Sequence, residues 1–212
     1  MDTSEFIRVL AADTRRPAMS LSAVWWGAVT IAIVLAAAVF IATLVPRTDI
    51  ATAAETVRFL FKFLVTTTLA ASAFGCVRAL SRPDGPSPQA IACLAATPAL
   101  IVLAVSIELF ALPSNTWSAT MIGTNSIACL TYIPLIGLGP LAILMLALRN
   151  GAPTRPGTAG AVTGLLAGGI AATFYAAHCN NDSPLFVATW YTIAIAGLAL
   201  FGAVGARRFA RW

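Results

Sequence analysis

Leu21-Ser-Ala-Val-Trp25-Trp26-Gly-Ala-Val-Thr30-Ile-Ala-Ile-Val-Leu35-Ala-Ala-Ala-Val-Phe40-Ile-Ala-Thr-Leu-Val45-Pro46-Arg47 is the stretch that decides the fold class. From Leu21 to Val45 it carries no charged side chain. A bilayer core about 30 Å thick needs roughly 20 such residues in helical form. The run exceeds the roughly 7–15 residues of a signal-peptide apolar region, and Pro46-Arg47 follows it with no small-residue cleavage pattern. A retained transmembrane helix is therefore expected.

Five more runs of the same kind follow: about Val57 to Leu80, Ala90 to Leu112, Ser126 to Leu148, about Gly157 to Ala177, and Leu185 to Ala206. Proline and glycine punctuate them at Pro46, Arg82-Pro83-Asp84-Gly85-Pro86, Pro113, Gly151 to Pro156, and Asp182-Ser183-Pro184. The composition agrees, with 59% of residues hydrophobic and 10% charged, against about 25% charged in ordinary soluble domains. The fold class expected is an all-α polytopic membrane protein, a bundle of six transmembrane helices with short loops. Its parts are a cytoplasmic N-terminal segment (1–20), the transmembrane domain (21–206) and a cytoplasmic tail (207–212).

The net charge of +5 would point a soluble protein toward nucleic acid, but here the arginines lie at the ends of apolar runs and report topology instead. Arg8, Arg15, Arg16, Arg78, Arg82, Arg149, Arg155, Arg207, Arg208 and Arg211 fall on one side; Arg47, Arg58 and Lys62 fall on the other. This asymmetry places both termini in the cytoplasm. Direct nucleic-acid binding is not expected.

The N-terminal segment carries Phe6, Ile7 and Leu10 at helical spacing, with Glu5, Arg8 and Asp13 around the rest of the wheel. So short an amphipathic helix needs a partner. The candidates are the lipid headgroups and another protein, and the mixed charge of the polar face counts against the first.

With that orientation Cys129, in the first turn of the fourth helix, and Cys179, in the loop leaving the fifth, both lie at the outer surface. Two thiols outside the cytoplasm can exchange between dithiol and disulfide, or jointly bind a soft metal ion. His178 is a candidate third ligand, or a cation that lowers the thiol pKa. A static disulfide, or two unrelated small residues in packed helix ends, fits the spacing equally well. Cys76 and Cys93, near the cytoplasmic side, read as buried small hydrophobes.

Glu108 is the one acidic residue within an expected span. Its depth matches Arg58 and Lys62, so an ion pair joining adjacent helices is favoured over an ion or proton site. A small transporter or channel using Glu108 is the alternative function. No Walker loop, HExxH, GxSxG or CxxC is present. The residues describe a sensor rather than an enzyme, with no resident cofactor beyond a transient soft metal ion at the outer cysteines.

Phe6-Ile7-Arg8-Val9-Leu10-Ala11-Ala12-Asp13, the segment from Gly123 to Cys129-Leu130, Leu148-Arg149-Asn150-Gly151-Ala152-Pro153, the block from Tyr175 through Cys179-Asn180-Asn181-Asp182-Ser183-Pro184 to Trp190-Tyr191, and the terminal Arg211-Trp212 resemble the NrsF family. That family comprises six-helix anti-sigma factors of the bacterial inner membrane. The resemblance implies an extracytoplasmic-function sigma factor as partner, held inactive in the cytoplasm. It also implies a periplasmic cysteine pair, here Cys129 and Cys179, linked to release under heavy-metal or oxidative stress. Sigma contacts would then fall on Phe6, Ile7 and Leu10, or on loop residues such as Arg149 and Arg155.

Overall fold

A computed structural model describes residues 2–5, 7–8, 19–83, 85 and 88–209. Six helices are long and apolar enough to cross a membrane: α1 (Leu21–Thr43), α2 (Val57–Leu80), α3 (Pro88–Ala111), α4 (Ser126–Leu148), α5 (Pro156–Ala176) and α6 (Pro184–Arg208). Each matches an expected run to within about two residues at either end, the usual fraying uncertainty of a helix terminus. Among the described residues there is no strand. Residues 3–5 and 7–8 are helical and exposed. Phe6 and Leu10 lie outside the described residues.

The sequence selects which helix is central. In α5, glycine and alanine dominate, so neighbouring backbones can approach closely, and 78% of its most apolar window is buried. Gly160, Gly164 and Gly168 form the small-residue ridge along which α6 packs. A methyl group at Gly160 would overlap the Gly202 carbonyl, and one at Gly164 the Leu198 carbonyl. On another face, Gly169 sits against Ala70 of α2, and α4 covers a third.

The outer ring is less buried. α1 turns Trp25, Ala28, Ala32, Ala36 and Phe40 inward at three- and four-residue spacing, while Ile31, Val34 and Ile41 face the lipid. α3 is a peripheral helix, with 6% of its most apolar window buried; it packs on α2 and on the start of α6. Its inward residues are Thr97 and Glu108.

Connections gather at two ends. At one, here the thiol end, lie residues 44–56, 112–125 and 177–183; at the other, the arginine end, lie the described residues 81–83 and 85, and 149–155. The two arginine-end connections are joined, since the Ala152 N–H donates to the Ser81 carbonyl at 3.0 Å. Gly151 lies so close that a methyl there would stand 2.7 Å from the same oxygen.

Two expectations for single residues need correction here. Cys76 is buried as expected, but Cys93 is exposed, because α3 meets the bundle along one narrow face only. Lys62 does not join Glu108. It points to the bundle centre and pairs with Asp182, while Arg58 alone reaches Glu108, at 3.3 Å.

Candidate functional site

Helix packing brings Cys129 and Cys179 together. α4 and α5 pack against one another, so the first turn of α4 and the residues just beyond the last turn of α5 meet at one level. The Cys129 N–H donates to the Asn125 carbonyl and the Cys179 N–H to the Tyr175 carbonyl, which keeps both residues on their helical paths. The two side chains share a hydrogen bond, and both are free thiols. Both lie at one end of the bundle, as expected for a pair at a common depth, but they are not at its surface. Neither is exposed at all.

Two phenols complete the pocket. Tyr175, in the last turn of α5, and Tyr191, in α6, have ring centroids 5.8 Å apart and are buried beside the sulfurs. Their hydroxyls have no nitrogen or oxygen partner. Tyr191 reaches this position at the end of a π-helical turn, Val187–Tyr191, a feature that recurs at functional sites.

A charged clasp closes the pocket. Lys62 is fully buried in α2, and its ammonium donates to the Cys179 carbonyl at 2.7 Å and to Asp182 at 2.5 Å. Arg47 donates to both oxygens of Asp182, at 3.0 and 3.2 Å, and to Asp49 at 2.6 Å. Both cations also lie over the Phe59 ring, 5.6 Å (Arg47) and 5.2 Å (Lys62) from its centroid. The Arg47 N–H donates to the Ala177 carbonyl, and His178 Nδ1 bonds the Val45 carbonyl at 2.7 Å. The segment after α5 is thereby fastened to the segment after α1.

The same segment supplies helix caps. Glu108 of α3 accepts from Ser183 Oγ at 2.7 Å and from the Leu185 N–H at 2.9 Å, so it caps α6 as well as pairing with Arg58. With its oxygen turned toward α4, the Asn181 amide accepts from the N–H groups of Thr124 (3.1 Å) and Asn125 (3.0 Å). Gly123 makes this fit: its φ is +55°, and a Cβ would lie 2.6 Å from the Phe186 ring and 2.9 Å from Asn181.

The electrostatics single out Cys179. Its thiol is held below the ordinary value, first by the hydrogen bond from Cys129 and further by the charge of Lys62, while burial acts in the opposite direction. Nearby, Arg47 is pushed up and Asp49 down, each chiefly by its bond to the other. Of the two, Cys179 is thus the thiol whose charged form its surroundings favour.

His178 stands apart from the sulfurs. Its ring engages the Val45 carbonyl and tilts against Tyr175 at 6.1 Å. Among the described residues no three His, Cys, Asp or Glu side chains converge as a metal centre. The two cysteine sulfurs remain as soft ligands. Arg149 ends α4 and Arg155 precedes α5, both exposed at the arginine end and far along the bundle from the thiols.

Asp182, Arg47, Asn181, Tyr175 and Tyr191 are site residues that sequence patterns did not bring out as such. For Asp182 a signal existed. It is a lone carboxylate in the loop whose depth matches Lys62, a cation in an apolar run that needs a counter-ion.

Comparison with known proteins covers the whole chain. The family model described as NrsF, negative regulator of sigma F, matches residues 10–212. The chain is similar to the anti-sigma-F factor NrsF of Caulobacter vibrioides (strain NA1000 / CB15N), with 31% identity over 220 residues and full coverage of both proteins. It is also similar to the probable anti-sigma-F factor NrsF of Azospira oryzae, with 28% identity over 219 residues, again with full coverage of both. No solved structure matches.

Proposed function

The chain belongs to the NrsF family, and on that premise we propose that it is a membrane-bound anti-sigma factor, governed by the state of Cys129 and Cys179. It sits in the bacterial inner membrane with the thiol end in the periplasm and both termini in the cytoplasm. Cytoplasmic segments hold an extracytoplasmic-function sigma factor: the N-terminal stretch with Phe6, Ile7 and Leu10, and the connection carrying Arg149 and Arg155. Modification of the thiol pair shifts the bundle to a state that binds sigma less well, and transcription follows.

The observation that carries this reading is the facing of two free thiols from segments fifty positions apart, inside a pocket whose lid is held by ion pairs. Such a lid is suited to a switch, because breaking a few polar contacts uncovers both sulfurs at once. Two chemistries use this pair: oxidation to a disulfide, and bridging by a soft metal ion such as a thiophilic divalent cation. A tenfold loss of sigma affinity needs about 1.4 kcal/mol of coupling, and a new disulfide is worth about 2–4 kcal/mol. The energetics are therefore sufficient.

A reporter of sigma-dependent transcription in cells carrying Cys129→Ser or Cys179→Ser tests the reading. Both variants are expected to lose induction by cadmium and by thiol oxidants. Intact induction in both would remove the pair from sensing. Cadmium without oxidant, followed by a non-reducing gel, separates the chemistries: metal bridging induces without a disulfide band. Glu108 supports no transport reading, as its carboxylate is engaged by Ser183, Leu185 and Arg58.

A further inference from the structure

Lys62 lends its charge to the Cys179 thiol, and it is also a fully buried cation within a spanning helix. Intramembrane charges are costly and rarely idle. Both groups that hold its ammonium, the Cys179 carbonyl and the Asp182 carboxylate, belong to the connection between α5 and α6. The position of this side chain is thus tied to the backbone of the reactive cysteine itself.

We infer that Lys62 is the positioning residue through which α2 registers the state of Cys179, and that α2 carries this state to the arginine end of the bundle. The inference rests on the thiol pair being the sensing site. When Cys129 and Cys179 join, the sulfurs move from hydrogen-bond separation to about 2.0 Å. Both S–H bonds break, one S–S bond forms, and two hydrogens leave with their two electrons to the oxidant. The Cys179 carbonyl lies on the same residue and moves with its sulfur. Lys62 then follows it or loses a partner at a fully buried position.

The helix that bears Lys62 is suited to transmit the motion. α2 contains no proline and no π turn, whereas α3 has Pro98, α4 has Pro134 and Pro140, and α6 has its π turn. Immediately beyond its far end, the buried Ser81 accepts from Ala152 and touches Gly151, in the connection flanked by Arg149 and Arg155. One unbroken helix therefore runs from a side-chain grip on the thiol segment to a backbone grip on the arginine-end loop.

The test uses the full-length protein in cells with a sigma-dependent reporter, treated with diamide, whose N=N bond takes up the two hydrogens and two electrons. Formation of the Cys129–Cys179 bond is scored on non-reducing gels, and the amount of protein in the membrane is measured alongside. In Lys62→Met the protein is expected at the parent level and the disulfide to form more slowly, because Cys179 loses the charge of Lys62; once the gel shows the bond fully formed, the ratio of treated to untreated reporter is expected to fall to about one. Lys62→Arg, which retains hydrogen-bond donors, is expected to restore the ratio. A parental ratio in Lys62→Met overturns the inference.

If Lys62→Met does not accumulate, Gly151→Val probes the other end, since its side chain pries Gly151 from Ser81. The expected result is again disulfide formation with a ratio of about one, because neither state is then distinguished at the loop. A parental ratio there overturns the inference too. Loss of induction in the cysteine variants with parental induction in Lys62→Met rejects the role of Lys62 alone. Parental induction in the cysteine variants rejects the sensing reading beneath it.

Discussion

At the scale of the residue, a few side chains define how the thiol pocket is poised. The depressed Cys179 thiol keeps its thiolate to lower pH than an ordinary cysteine and loses it as pH falls through that lowered value. Facing it are Cys129, Tyr175, Tyr191 and Lys62, with Asp182 behind Lys62. Cys129→Ala removes the largest cause of the depression. The pH at which Cys179 alkylation by a small reagent reaches half its maximal rate should rise in that variant; an unmoved midpoint would refute this assignment of donor and acceptor. Glu108 gives a second case. In Glu108→Gln the amide oxygen can still accept from Ser183 and Leu185, so a cost of about 1 kcal/mol is expected, whereas Glu108→Ala should cost about 2–3 kcal/mol. Thermal unfolding in detergent compares the two. Depth along a helix was legible from sequence, and it correctly placed Arg58 beside Glu108. Azimuth was not: Lys62 lies one turn away on α2, and only packing shows that it faces the bundle centre.

At the scale of the element, apolar run length and proline punctuation made all six spans readable, because the bilayer imposes one length on each. The glycine ridge of α5 was readable as well, but the identity of its partner, α6, was not. Neither was the π turn at Val187–Tyr191, which has no compositional signature. Paired substitutions check the ridge. Gly164→Val drives a side chain into the backbone of Leu198 and Ala199, and should cost about 1–3 kcal/mol or prevent accumulation. Gly197→Ala meets nothing within 4 Å and should be neutral or stabilise by up to about 1 kcal/mol. Equal effects from the two would contradict the packing described. The N-terminal stretch belongs to this scale too: removal of residues 2–13 should raise uninduced reporter expression if that segment holds sigma, and unchanged expression would assign the contact to the loops.

At the scale of the whole molecule, the thiol pair could be named from sequence, but its closure could not. Bringing residues 129 and 179 into hydrogen-bond contact depends on how α4 and α5 pack, and sealing them depends on Arg47, Lys62 and Asp182 meeting from three separate segments. Orientation has a direct check. A reporter active only in the cytoplasm should function when fused after Trp212, and a membrane-impermeant maleimide should reach Cys179 from the periplasmic side once Asp182→Asn weakens the lid. Labelling from the cytoplasmic side alone would reverse the proposed topology.

The clasp also bears on how the switch relates to the energised membrane. Arg47 and Lys62 balance Asp49 and Asp182, so the cluster as a whole is electrically neutral. Moving one net elementary charge through a membrane potential of 100 mV is worth about 2.3 kcal/mol, but a group of two cations and two carboxylates shifting together moves almost none. The ion pairs of the clasp therefore add almost no voltage dependence of their own to the opening and closing of the thiol end, and what dependence it has falls to the Cys179 thiolate beside Lys62.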